Sequence, residues 1–382
     1  MKDNTTADPW RCINPARLMD IFIELVQIDS PSYNEREIAS RLTKHLIDLG
    51  LSVEFQQYGK SFNLIGRKHG KLRGVAPIML SSHMDTVEST KGLKSIREGG
   101  VVKTDGGTIL GADDKSGIAE ILEALYVLKE QGLPHGDIEV VLTSAEERGL
   151  IGAQNLNFDS LKSRIALVLD CSGGIGRVVL AAPTHDIYEM HITGRAAHAG
   201  IEPERGTSAI KAAANIIAAV PDGRIDPNTT ANIGTIQGGT ATNIVPKEVT
   251  ITGEIRSHDA EALQRTKNAI FDTARRLAKK NQVKIEIREN RQYNGFHISE
   301  ADEFVRLIKN VCEDLLITPE FISYGGGSDA NIYNRNGIKS LVISSGMQMP
   351  HTTDEYIKEE DLSKAALMLL GVIRAMADDS KM

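Results

Sequence analysis

Two glutamates stand side by side at the end of an apolar run, in LTSAEERGLIGA (142–153). Adjacent residues project to different sides of a strand or a helix, so Glu146 and Glu147 suit two tasks rather than one. Other stretches put reactive side chains in similar places. SSHMD supplies His83 and Asp85, GADDKSG supplies Asp113 and Asp114, IALVLD ends in Asp170, and PHTTDEY adds His351. Imidazole and carboxylate donors without a thiolate suit zinc, manganese or cobalt in a hydrolytic centre. Two such ions sharing a bridging carboxylate clamp the attacking and the reacting oxygens of a hydrolysis. His83, Asp113, Glu147, Asp170 and His351 are the ligand candidates, with Asp113 or Asp114 as the bridge. One glutamate of the pair then binds metal. The other takes a proton from the attacking water and later returns it to the leaving amine. Asp85 lies two residues after His83 on an extended segment, so it shares a face with the imidazole and can accept its ring N–H.

These residues need a scaffold that brings strand ends together. PIMLSS (77–82), IEVVLTS (138–144) and IALVLD (165–170) are continuous apolar runs, each followed by candidate ligands. Helical patterns separate them, from about Lys115 to Gln131 before Gly132 and near 151–156. Buried strands alternating with helices indicate an α/β sheet, and in open α/β sheets chemistry collects beyond the carboxyl ends of the strands. Upstream, Asn14-Pro15 opens a helix, and Asn34 with Glu37 reads as the capping box of a second one. LSVEF (51–55) and the segment around Asn63 to Gly66 read as further strands.

After AAPTH (181–185) the pattern changes. An alternating strand, a helix over about 207–220, two more strands, a long helix over about 259–280 and KIEIREN follow in the order βαββαβ. That order is ferredoxin-like and marks a domain inserted into a larger one. The α/β pattern resumes near 293, with a helix over 300–316, the turn YGGGSDAN, the strand SLVISSG and a C-terminal helix from about 359. The expected organisation is a catalytic domain in two parts, 1–183 and 293–382, with the insert at 184–292.

At 382 residues the chain is long enough for two domains. It is 41% hydrophobic and 25% charged, with a formal net charge of -7 spread in no long blocks, which argues against nucleic acid as a partner. No apolar run reaches membrane-spanning length, and MKDNTTADPWRC has no apolar leader stretch. Three well-separated cysteines, Cys12, Cys171 and Cys312, form no disulfide framework. The expected location is the cytoplasm.

SSHMDT, GADDKSGIAEIL, TSAEERGLIGA, VLD, GRAAHAG, GGTATNIVP, GEIRSHD, GGGSDA and PHTTDEY together resemble the co-catalytic zinc exopeptidases that include peptidase T, carboxypeptidase G and aminoacylase. GADDKSGIAEI and Asp170 look most like the peptidase T branch. The resemblance implies a mixed, mostly parallel catalytic sheet with a ferredoxin-like lid, and two zinc ions per chain, with manganese or cobalt as substitutes. It assigns His83 and Asp170 to one ion, Glu147 and His351 to the other, and Asp113 to both. Glu146 takes the place of the general base and Asp85 that of the orienting acid. In the lid, His198 matches a histidine that stabilises the oxyanion, often across a dimer. Asn243 and Arg256 match residues near the substrate carboxylate, and the turn at Gly326 and Gly327 matches a substrate-facing loop. Peptidase T carries an arginine before its G-G-T-D motif, where this chain has Gly325. A fixed cation is missing there, and peptide-length selection is expected to be relaxed.

The implied activity is removal of the N-terminal residue from di- or tripeptides by a homodimer joined through the lid. Carboxypeptidase or N-acyl-amino-acid amidohydrolase chemistry on the same centre is the alternative. A lidless aminopeptidase has a similar ligand order but no insert before His351. A catalytically silent metal-binding or regulatory protein would have lost a ligand or the base, and none is missing.

Overall fold

A computed structural model describes residues 12–379. Residues 1–11, which hold most of the stretch read as lacking a leader, lie outside it. The chain divides into two compact units. One comprises 1–180, 297–323 and 328–382, and the other 181–296 with 324–327.

The strands of the first unit run side by side in the order Ser52–Tyr58, Ser61–Lys68, Ile138–Thr143, Ile78–His83, Ile165–Cys171, Lys339–Ser344 and Arg177–Ala182. The four from Ile138–Thr143 to Lys339–Ser344 are parallel, and antiparallel strands flank them. Their residues are almost all buried, which is why they read as unbroken apolar runs. Their carboxyl ends share one edge of the sheet. His83 and Asp170 lie on that edge, the Glu146–Glu147 turn follows Thr143, and the His351 loop follows Ser344.

The helix Ala112–Gln131 ends on Gly132 in the left-handed conformation, as the sequence suggests. It begins three residues before the expected Lys115, so Asp113 and Asp114 lie within its first turn, both with non-helical backbone angles. The Asn34–Glu37 capping box does not form. The helix starts at Arg36 behind Glu35, and no side-chain cap bond is made. The Glu35 carboxylate instead accepts the N–H groups of Tyr33 and Ala145, both at 2.9 Å, and so reaches the turn that carries the glutamate pair.

The helix Pro15–Val26, capped by Asn14 as expected, is tied to the helix that carries Asp113. Arg17 Nε donates to Glu123 Oε2 at 2.7 Å, and Nη2 and the Asn14 N–H donate to Oε1. Glu123 is fully buried.

The second unit is a sheet ordered Gly223–Asp226, Thr229–Gly238, Glu248–Ser257, Thr184–Thr193 and Lys284–Tyr293, all antiparallel. The helices Ala209–Ile217 and Ala260–Lys280 pack on it through Ile216, Ile270, Phe271 and Ala274. This is the ferredoxin-like arrangement, with the short strand Gly223–Asp226 added at one edge. The unit also includes 324–327, which the sequence reading placed in the second catalytic part. The Tyr324 N–H donates to the Ala181 carbonyl at 2.8 Å, and Gly327 lies against Tyr293 so closely that a Cβ would come within 2.2 Å of the ring.

No helix among the described residues is long and apolar enough to cross a membrane. Cys12, Cys171 and Cys312 are not joined in disulfides.

Removing a cation from a buried carboxylate leaves an uncompensated charge. Arg17→Met should therefore destabilise the first unit by about 2–4 kcal/mol, read as a lower urea midpoint in equilibrium unfolding. An unchanged midpoint would mean that water compensates Glu123 without Arg17.

Candidate metal centre

Each group of the centre is held by main-chain contacts specific to its loop. His83 closes its strand, and its Nδ1–H donates to the Asp85 carbonyl at 2.9 Å, which aims Nε2 at Asp113 Oδ1, 3.0 Å away. The Asp85 carboxylate is 3.5 Å from the same Nδ1, so the Asp85 main chain, not its side chain, takes the closer contact expected for the acid. The carboxylate works on the opposite loop. Its Oδ1 accepts the Glu146 N–H at 3.0 Å, and Oδ2 accepts the Glu147 N–H at 3.3 Å and the Ser32 hydroxyl at 2.7 Å. Left-handed backbone at Ala145 and Gly149 brackets the 3-10 turn Glu146–Arg148, and successive side chains of so tight a turn diverge. The two glutamates leave the turn from neighbouring positions, yet both carboxylates reach the neighbourhood of His83.

Asp113 and Asp114 also separate. Asp114 is fully buried. Its Oδ2 accepts the Ser82 hydroxyl at 2.5 Å and lies 3.3 Å from the His83 N–H. Asp113 meets His83 on one oxygen and His351 Nε2 on the other, at 3.2 Å. His351 Nε2 also lies 2.9 Å from Glu147 Oε1. Asp113 thus lies between the two imidazoles, and Asp114 is hydrogen-bonded to the strand that carries His83.

Ligand atoms of His83, Asp113 and Asp170 lie within 4.8 Å of one another, and so do those of Asp113, Glu147 and His351. His83, Glu146 and Glu147 form a third such group. Two trios with Asp113 in common therefore use all five ligand candidates.

The charge balance of the cluster matches a cation site. Burial, then repulsion from neighbouring acids, raises the Asp170 carboxyl well above the carboxylate range despite His83. Burial does the same to Glu146, which Asp170, Glu147 and Asp329 push further. Burial opposes ionisation of Asp113, but His351 and His83 hold its carboxyl low. In turn Asp113 and Glu147 raise His351 to about 10. Protons on imidazoles are thus the main compensation for crowded carboxylates. Divalent cations can supply the same compensation, and two imidazoles with three carboxylates form a donor set suited to them.

Several supporting residues escaped the sequence reading. Glu355, four residues after His351, is buried, and it accepts the N–H groups of Leu110, Gly111 and Asp113 at 2.7–2.9 Å. It ties the His351 loop to the Asp113 loop. An acid within the quoted PHTTDEY was its only signal. Lys115 is fully buried, and its Nζ donates to the Ile28 carbonyl at 2.7 Å. Asp329, grouped by sequence with the glycine turn, belongs to the first unit, where Thr143 and Tyr333 donate to it. Burial raises its carboxyl to about 6.

Within the second unit, His198 is exposed on a turn beside the Asn243 loop. The Ala199 N–H donates to the Asn243 carbonyl and the Val245 N–H to the Ala197 carbonyl, both at 2.9 Å. Arg256 sits elsewhere in that unit, near Tyr293 and Gly327.

The family model for the peptidase dimerisation domain, M20_dimer, matches residues 187–282, and the model for peptidase family M28 matches residues 63–198. A Bacillus subtilis relative, the uncharacterized protein YqjE, is 40% identical over 96% of this chain and 100% of its own length. The crystal structure of aminopeptidase PepT from Bacillus cereus is 40% identical, with 96% and 100% coverage and a TM-score of 0.87. That of a tripeptidase from Staphylococcus aureus is 38% identical, with the same coverage and a TM-score of 0.91.

His351 is raised to about 10 and must lose its proton to ligate a metal. Acid therefore competes with metal. Loading the metal-free protein with zinc near neutral pH should release protons, and affinity should weaken as the pH falls from about 8 to about 6. Titration calorimetry in buffers of different ionisation enthalpy measures both. Proton uptake, or affinity independent of pH, would contradict this charge balance.

Proposed function

The chain belongs to the peptidase T-like M20 peptidases and is a peptide hydrolase, and we propose that it removes the N-terminal residue of di- and tripeptides with two divalent ions. The observation that carries the two-ion reading is the pair of ligand trios that share Asp113. In it His83 and Asp170 would hold one ion and Glu147 and His351 the other, with Asp113 available to both. Zinc suits this donor set best, with manganese or cobalt as substitutes. When bound, such ions polarise the scissile carbonyl and ease deprotonation of water.

The chain's own groups do the rest. Glu146 takes the proton of the attacking water and returns it to the amine nitrogen that leaves. Its burial and acidic neighbours raise its proton affinity, which supports a role in taking up a proton. Asp85 keeps the Glu146 turn in place through its two N–H contacts and holds His83 in orientation through its carbonyl. In the lid, His198 donates to the oxyanion, and Asn243, Arg256, Gly326 and Gly327 receive the far end of the peptide. The match of residues 187–282 to a dimerisation domain supports a homodimer joined through the lid, and the cytoplasm is the proposed location.

Carboxypeptidase or deacylase chemistry is the competing reading, since Arg256 can serve a carboxylate in either case. The reading as a lidless aminopeptidase has lost its ground, because the 181–296 unit is the insert that such an enzyme lacks.

Glu146→Gln should keep two metal ions per chain and lower kcat by at least about 10²–10⁴. Metal analysis beside steady-state kinetics separates base from ligand, and near-normal turnover would refute the assignment.

A panel of free, N-acetylated and C-amidated di- and tripeptides tests which end is read. Hydrolysis should require the free amine strongly and the free carboxylate less. If N-acetylated peptides were cut as fast as free ones while amides resisted, the enzyme would be a carboxypeptidase or deacylase.

A further inference from the structure

Three neighbouring strands of the second unit set Arg256, His185 and Tyr293 in one row, Arg256 opposite His185 and His185 opposite Tyr293. Residues directly opposite share a face of the sheet. Glu254, two residues before Arg256 on its strand, shares that face as well. Its carboxylate occupies one whole edge of the guanidinium. Arg256 Nε donates to Oε1 at 3.0 Å and Nη2 to Oε2 at 3.1 Å. Oε2 also lies 2.9 Å from His185 Nε2. Arg256 Nη1 donates to Tyr293 Oη at 3.3 Å. The ring of Tyr293 packs against His185 at 5.2 Å between centroids, tilted by 60°, and lies against Gly327.

A guanidinium suits a carboxylate through two parallel N–H donors. The fork through Nε and Nη2 is instead taken by the chain's own acid. Only the second N–H groups on Nη1 and Nη2 remain for a ligand, and the pair as a whole carries no net charge. Gly325 supplies no replacement cation in the adjoining turn.

We propose that Glu254 sets how strongly this enzyme demands a free C-terminal carboxylate, by neutralising Arg256 and filling the bidentate edge of its guanidinium. This rests on the reading that Arg256 receives the far end of the peptide. Glu254 is then a specificity-determining residue, and the substrates it admits are short peptides whose C-terminal end can be amidated or extended by a further residue. His185, first, and Arg256 hold the Glu254 carboxyl down at about 2 against burial, so the neutralising charge persists at any working pH. His185 contacts Glu254 and Tyr293 contacts Arg256, so both flank the pair, and Gly327 lies against Tyr293.

The test compares kcat/KM for trialanine and trialanine amide on the metal-loaded enzyme, expressed as the ratio of free acid to amide. Freeing a charge-assisted donor pair should raise that ratio about tenfold in Glu254→Gln. The rise should come from a lower KM for the free acid, with the amide unchanged. Glu254→Ala should behave alike, and Glu254→Asp, which keeps the charge on a shorter stem, should fall between it and the parent. Arg256→Gln should bring the ratio toward one in both the parent and the Glu254→Gln backgrounds. If Arg256→Gln lowers the ratio but the Glu254 variants leave it unchanged or lower it, the proposal is overturned and Arg256 keeps its role. If Arg256→Gln leaves the ratio unchanged, Arg256 does not meet the carboxylate, and the underlying reading falls together with the proposal.

Discussion

The first unit is organised around a mutual repulsion. Asp85, Asp113, Asp114, Glu146, Glu147, Asp170 and Asp329 converge on one edge of a buried sheet, with His83 and His351 as the cationic partners among them. Such a group does not assemble by its own attraction, because burying charges of one sign is costly. The surrounding backbone does the assembling. Main-chain N–H groups are committed to Asp85, Glu35 and Glu355, so each loop is fixed by an acid belonging to another loop. The remaining acids are left crowded in the place where cations can relieve them.

The same logic gives the paired features of the sequence distinct roles. Glu146 and Glu147 share a 3-10 turn begun by a left-handed residue, which brings both carboxylates near His83. Asp113 and Asp114 separate because Ser82 and the His83 N–H draw one of them into the sheet. In each pair one acid, Asp113 or Glu147, also reaches His351.

Much of this was legible in the sequence because the parallel strands are buried on both faces and leave unbroken apolar runs. Their ends could be located, and the candidate ligands stood at those ends. The βαββαβ order of the insert was equally plain. What escaped notice was long-range and polar. Nothing near Glu355 indicates that it accepts three N–H groups some 240 residues away. Glu35 was passed over because Asn34 and Glu37 matched a local capping pattern, whereas the carboxylate between them was needed by Ala145. The segment 324–327 was assigned to the wrong unit because its glycines reveal flexibility but not the ring of Tyr293 against which they lie. Likewise GEIRSHD carries no signal that Glu254, an i, i+2 acid on the strand, folds back onto Arg256.

The strand order carries a consequence for biosynthesis. Ile165–Cys171 has the parallel strand Lys339–Ser344 as one of its two neighbours, and that strand leaves the ribosome roughly 170 residues later. At translation rates of about 5–20 residues per second this is a wait of roughly ten to thirty seconds. The inserted unit, nearly all of it contiguous from 181 to 296, emerges and can fold during that interval. The nascent catalytic half meanwhile exposes an apolar strand edge, which is the kind of surface that chaperones cover and that aggregation exploits. Synthesis, more than the finished molecule, is therefore the stage at which this chain is most vulnerable.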